Sequence, residues 1–238
     1  MRIRAVTLDL DDTLWPVLPA LQHAERAVDD YLRAHHPQVA RRWPIPALRE
    51  LRTQVADAHP ELAHDFTAQR HLTMRRAFAV CGIDEPPLDA LWQVFARARN
   101  RVEPYPDALP ALRRLAARLP VASLTNGNAD LAMIGIHAHF ACQINARDCG
   151  SAKPDPRIFV LAATRLGLPP AAILHVGDDP RLDVAGARDA GLHTAWINRA
   201  RQPWPEALGA PPDLDLPDLA VLADWLHAQP GAADGAPC

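Results

Sequence analysis

Five runs of branched and apolar residues recur along the chain, at 3–10, 121–126, 142–146, 172–178 and 193–198. Each has the length and composition of a strand rather than of a buried helix. Helical patterns fill the intervals after residue 105, at 107–119, 129–136, 155–167 and 181–191, and a last helix is expected over about 217–228. The segment "DPRIFVLAATRLG" carries Pro156 near its start and closes on Gly167, as helix boundaries prefer. Strand and helix alternating in this way predict an α/β fold, a doubly wound parallel sheet with helices on both faces.

One interval breaks the alternation. Residues 16–104 hold no convincing strand but several helical segments, at about 17–35, 46–59, 61–82 and 87–101, punctuated by "RRWPIP" and "DEPPLD". An all-helical block between the first and second strands of a sheet is an insertion. The expected organisation is a core from 1–15 and 105–230, a helical cap from 16–104, and a Gly/Pro/Ala-rich tail from 231–238. Because the insertion starts directly after the first strand, it is expected to act as a lid over the strand ends.

In a doubly wound sheet, ligands bind at the carboxyl ends of the strands. The first strand ends in Asp9, Asp11, Asp12 and Thr13, and the second in Thr125 and Asn126. Lys153 follows the third, and Gly177, Asp178, Asp179 and Asp183 follow the fourth. Lys153 is the single lysine, although lysine and arginine together number 25. Arginine's wide fork does not replace a compact ammonium at a small site, so this one position is expected to need the ammonium itself.

Composition narrows the classes of partner. Hydrophobic residues make up 49% of 238 positions, enough for a sizeable core, and the formal charge of −3 gives no global attraction to nucleic acid or a membrane surface. No apolar run has the length of a transmembrane helix, and the acids after residue 8 arrive too early for a signal peptide. The four cysteines (Cys81, Cys142, Cys149, Cys238) form no CxxC pair, which suggests reduced thiols and a cytoplasmic protein. Cys142 and Cys149 lie near His137 and His139, but their spacing matches no common zinc pattern.

Crowded carboxylates repel one another and resist burial unless a cation sits among them. Magnesium prefers such oxygen ligands, and Asp9 and Asp178 could each supply one. Asp9 and Asp11 are two residues apart. If the chain turns between them, Asp9 can attack a phosphorus atom while Asp11 gives and takes protons. Thr125 and backbone N–H groups could bind the phosphate, with Lys153 adding positive charge. Asp12 reads as a loop residue. His64, Asp65, Arg70 and His71 read as a solvated helix face, and His175 as a packed core histidine.

"DLDDT", "SLTNGN", the isolated "KP" and "GDDPRLD" resemble, in order, the four motifs of the haloacid dehalogenase superfamily, whose core is Rossmann-like. The likeness is to its phosphatase branch, with a helical cap inserted after the first motif. The resemblance implies Asp9 as nucleophile and metal ligand, Asp11 as acid and base with its carbonyl on the metal, and Asp178 as a further ligand. It implies Thr125 and Asn126 as phosphate-binding residues and Lys153 as the stabiliser of nucleophile and phosphoryl charge. Asp183 would orient Lys153 or a metal-bound water. Asp179 could share the role of Asp178, and Trp15 would touch substrate at the cap hinge. The implied cofactor is Mg2+.

The second aspartate argues for phosphate over halide, since family members that displace halide lack it. The expected substrate is a small phosphomonoester. "TNGNA", "KP", "ILHVGDD" and the cap segment "HDFTAQRH" look like the riboflavin-pathway phosphatases acting on 5-amino-6-(5-phosphoribitylamino)uracil or FMN. Sugar phosphates, phosphoglycolate and nucleotides are the alternatives. Dehalogenation and a non-catalytic phosphate or metal module are further ones. The chain is expected to act as a monomer or homodimer.

Overall fold

A computed structural model describes residues 1–229. The expected tail, 231–238, lies outside the described residues, as do position 230 and Cys238. The chain forms two compact units. One joins Met1–Trp15, Pro104–Asn126 and the chain from Ile136 onward; the other joins Pro16–Glu103 to Gly127–Gly135.

In chain order the elements are β1 (Ala5–Leu8), then helices α1 (Val17–His35), α2 (Pro37–Arg42), α3 (Ile45–Ala58), α4 (Phe66–Val80) and α5 (Leu88–Arg99). There follow α6 (Ala108–Ala116), β2 (Val121–Thr125), α7 (Leu131–Ile134), β3 (Cys142–Asn145), α8 (Ala146–Cys149) and α9 (Pro156–Leu166). The chain continues with β4 (Ile173–Gly177), α10 (Gly186–Asp189), β5 (His193–Ile197), β6 (Leu214–Leu216) and α11 (Leu219–Ala228).

The first unit is the α/β fold expected. Its six strands lie in the order β3-β2-β1-β4-β5-β6, and every neighbouring pair is parallel. β1 sits between β2 and β4, so the strand order reverses there and opens a crevice at the carboxyl ends. Leu8 pairs with Val176 and with Ser123, which brings Asp9 level with the end of β4. Strands β1, β2 and β4 are buried at every position, the mark of a parallel sheet covered on both faces. Ala122, Leu124, Ile158, Phe159 and Ile173 pack into one cluster beneath them.

The strand pattern does not predict β6. "LDL" is too short to show a pattern and becomes a strand only by pairing along the edge of β5. The helix expected over 181–191 begins instead as a π-helical turn, Pro180–Ala185, before α10. Such turns concentrate at functional sites.

The second unit is helical. In α1, Ala20, Ala24, Val28 and Leu32 recur every fourth residue and are all buried. Ala24, Val28 and Leu32 meet Phe78, Leu91 and Phe95 in the unit's own core. The helix expected from 61 starts only at Phe66, because Asp65 caps it through the N–H groups of Thr67 and Ala68 at 3.0 and 2.9 Å. Gly127–Gly135 joins this unit, whereas its sequence pattern assigns it to the sheet core. The amide side chain of Asn100 accepts the Asp130 N–H at 2.8 Å and helps hold that segment.

Candidate active site

β1 delivers Asp9 to the crevice, and its own N–H still donates to Val176 of β4 at 2.9 Å. The chain then turns sharply. Asp12 has φ of +61°, and its N–H donates back to the Trp15 carbonyl at 2.7 Å. A residue type with a short polar side chain tolerates that left-handed conformation, which fits its loop reading. The turn separates Asp9 from Asp11 and buries Trp15 completely. The indole N–H of Trp15 donates to Asp11 Oδ1 at 2.8 Å. Trp15 therefore contacts Asp11.

Lys153 occupies the middle of the site. Its ammonium donates to Asp9 Oδ1 and to Asp183 Oδ1, both at 2.5 Å, with all three side chains buried. Burial would strip the ammonium of its proton, but the two carboxylates reverse that and hold Lys153 above its ordinary value. Asp183 opposes burial with Lys153 and His175 and is held well below the usual carboxylate range. Asp9 goes the other way. Burial raises its carboxyl, and the nearby Asp183 and Asp178 add to this against Lys153. One ammonium shared by two carboxylates favours the better bonded of them, and Asp183 has more donors.

Those donors come from β4 and the π-helical turn. His175 Nε2 lies 3.1 Å from Asp183 Oδ1, and its Nδ1 lies 2.9 Å from the Thr7 hydroxyl. A carboxylate only accepts, so Nε2 carries the proton and Nδ1 accepts from Thr7. Burial lowers the His175 value and keeps the ring neutral. The N–H of Asp179 donates to Asp183 Oδ2 at 2.9 Å. Asp179 Oδ1 is itself taken by the N–H groups of Arg181 and Leu182, both at 2.8 Å. Asp179 is thus the cap of the turn.

Asp178 stands half-buried, its carboxyl pushed up to about 7 by burial and then by Asp183. The single hydroxyl proton of Thr13 is shared between Asp178 Oδ1 at 3.1 Å and Asp9 Oδ2 at 3.3 Å. Carboxylate oxygens of Asp9, Asp178 and Asp183 lie within 4.8 Å of one another. Hard oxygen donors crowded this closely, with two of the three carboxyls pushed upward, are the chemistry that a divalent cation relieves. Asp183 is already bonded to Lys153, His175 and the Asp179 N–H, so Asp9 and Asp178 are the carboxylates with capacity left.

Thr125 is buried at the end of β2. Asn126 is expected on the phosphate, and its side-chain amide also holds the Lys153 backbone. It donates to the Lys153 carbonyl at 2.9 Å and accepts the Lys153 N–H at 2.7 Å. Gly177 makes room for the network, since a Cβ there would collide with the Asp183 carboxyl.

Two contributors are hidden in the sequence. His175 is the packed core residue that its strand position implies, but it also orients Asp183. Arg199 spans the hinge region: it donates to the Thr13 carbonyl at 3.0 Å and to both Asp107 oxygens at 2.9 and 3.0 Å. Its guanidinium lies 3.8 Å from the centre of the Tyr105 ring. Neither residue stands in a local motif. A histidine within an apolar strand is the one available signal.

A strand-end acid cluster, a buried lysine between two aspartates and a doubly wound sheet define a hydrolase of the α/β class. The chain belongs to the haloacid dehalogenase-like hydrolases, whose family model matches residues 3–191. It is 33% identical over 233 residues to the 5-amino-6-(5-phospho-D-ribitylamino)uracil phosphatase YigB of Escherichia coli (strain K12), covering 94% of this chain and 97% of that one. It is 30% identical over 232 residues to a glyceraldehyde 3-phosphate phosphatase of Methanopyrus kandleri, covering 92% and 93%. A solved structure described as a 2-haloacid dehalogenase from Pseudomonas syringae pv. Tomato DC3000 superposes with a TM-score of 0.87 at 34% identity, covering 94% and 98%.

Proposed function

We propose that this chain is a Mg2+-dependent phosphomonoester hydrolase that works through an aspartyl-phosphate on Asp9. The observation that carries the reading is the second acid, Asp11, set two residues beyond Asp9 and oriented by Trp15 at 2.8 Å. A halide leaves without a proton, whereas an alkoxide leaving group needs one.

Asp9 forms a bond to phosphorus as the ester P–O bond breaks, and the leaving oxygen takes the proton of Asp11. Asp11, now a carboxylate, removes a proton from water. The water oxygen bonds to phosphorus, the Asp9–phosphorus bond breaks, and inorganic phosphate and the Asp9 carboxylate result. Lys153 offsets charge on Asp9 throughout, and Asp183 and Asn126 hold Lys153 in place. Thr125 would bind the phosphoryl oxygens. Mg2+ would be held by Asp9, Asp178 and the Asp11 carbonyl, supplying positive charge against the phosphate.

The relative from Escherichia coli, named a 5-amino-6-(5-phospho-D-ribitylamino)uracil phosphatase, supports that compound as substrate, while FMN and a riboflavin-pathway setting rest on the motif resemblance alone. The three described cysteines are free thiols, which supports a reducing, cytoplasmic setting. A second reading, dehalogenation, is favoured by the dehalogenase structure that superposes on this chain. Phosphate release measured over a panel of phosphorylated metabolites with Mg2+, beside chloride release from 2-chloropropionate without metal, separates the two. Preference for the ribityl-pyrimidine phosphate supports the specific reading. Equal rates on many small phosphates would leave a generalist phosphatase, and chloride release alone would overturn the phosphatase reading.

A further inference from the structure

The helical unit carries a half-open cavity of about 60 Å3 between α1, α3, α4 and α5. At the ~10–15 Å3 that one water needs, this is room for about four to six waters. Leu48, Met74, Leu91 and Trp92 form apolar walls. Four basic side chains, Arg49, Arg52, Arg70 and His71, line the same space with a single acid, Glu25.

The charges do not balance. Arg49 is held by Glu25, its Nη2 and Nε at 2.5 and 2.9 Å. That pair consumes the one acid. Neither Arg52 nor Arg70 has an ion-pair partner among the described residues. The guanidinium carbon of Arg70 lies over the Phe95 ring, 3.9 Å from its centre, and its Nε is buried with no hydrogen-bond partner. His71 meets the edge of Trp92 at 5.9 Å. This part of α4 is therefore turned into the bundle, against the expectation of a solvated face. Burial and then the Arg52 guanidinium push Arg70 down to about 9, which still leaves it protonated at neutral pH.

A half-buried cation with a buried, unmet donor at Nε, apolar walls and surplus positive charge describe one kind of ligand. We propose that the helical unit carries a binding site of its own for a small anion with an apolar, single-ring body, its acid group on Arg70 and Arg52 and its ring among Trp92, Leu48 and Met74. The cavity's surplus positive charge disfavours cations. The site does not depend on the phosphatase reading, because every lining residue belongs to the helical unit.

The test uses the full chain and three fluorinated probes of matched size: 4-fluorobenzoate, fluorobenzene and 4-fluorobenzylamine. Binding is followed by 19F NMR line broadening in the presence of Mg2+ and inorganic phosphate. The wild type should bind the acid most tightly and the amine least. Arg70→Met should weaken the acid about tenfold, the loss of one charge-assisted contact. Arg52→Met should weaken it by a smaller factor, and fluorobenzene should change little in either. Asp9→Asn should bind the acid as the wild type does, whatever becomes of catalysis. The proposal is overturned if the wild type shows no preference for the acid up to about 10 mM, or if both arginine variants, folded by circular dichroism, bind it unchanged. It is overturned equally if Asp9→Asn abolishes binding, which would move the site to the strand ends.

Discussion

Lys153 and Asp183 form a buried ion pair at 2.5 Å, and the same ammonium reaches Asp9 at the same distance. Asp183 is held from a second side by His175 and from a third by the Asp179 N–H. Asp9, with fewer donors, remains the more basic carboxylate of the two. The site is thus asymmetric: one aspartate anchors the lysine, and the other is left to react.

Asp9→Asn removes the attacking carboxylate while keeping its shape. Phosphate release from p-nitrophenyl phosphate should fall roughly 10^4-fold or more. Lys153 keeps Asp183 as partner, and a costly buried charge is gone. The melting temperature should therefore hold or rise. A large drop in melting temperature would mean that Asp9 serves the fold before the chemistry.

Asp11→Asn should separate the two half-reactions. With p-nitrophenyl phosphate the leaving group needs no proton, so Asp9 can still be phosphorylated. Hydrolysis of the intermediate, lacking its base, should slow about 10^2- to 10^4-fold. Stopped-flow absorbance should then show a burst of p-nitrophenolate close to one per enzyme. A slow steady release without a burst would count against Asp11 as the base.

His175 sets a pH dependence of stability. Its folded value lies below its ordinary one because of burial. The unfolded chain therefore takes up the proton first, and stability is lost as pH falls through the unfolded value of about 6.5. Asp178, shifted upward, acts in the opposite sense, but it is common to wild type and variant. Between about pH 7 and pH 5, the wild type should lose more urea stability than His175→Gln. Parallel curves for the two proteins would show that the ring does not titrate in this range.

Arg199→Met breaks the links to the Thr13 carbonyl and Asp107 while keeping most of the packing on Tyr105. Asp107, half-buried, would lose both guanidinium bonds and keep the Leu219 N–H as a donor. Unfolding in urea should show a loss of about 2–3 kcal/mol, as for hydrogen bonds to charged groups. A change below about 0.5 kcal/mol would place this contact among the surface ion pairs that contribute little.

The repeating alternation of strand and helix makes the doubly wound sheet legible in the chain itself, because each run must bury its own apolar face. The single lysine and the acids after β1 and β4 stand out for a similar reason: each chemical type is costly at a strand end unless something there needs it. These features are local, and local physics reads them. The three-residue β6 is invisible because only the edge of β5 makes it a strand. That Asn126 grips the Lys153 backbone, that His175 and Thr7 brace Asp183, and that Arg199 reaches Thr13 across 186 positions depends on which residues the fold brings together. The facing of Arg70 and His71 belongs with them, since a helix with polar residues on several sides does not announce which side is buried. Sequence by itself determined which chemical groups were available and at which strand ends they would gather. Tertiary structure alone decided how one ammonium is divided between two carboxylates, because that balance rests on distances and burial that no spacing along the chain encodes.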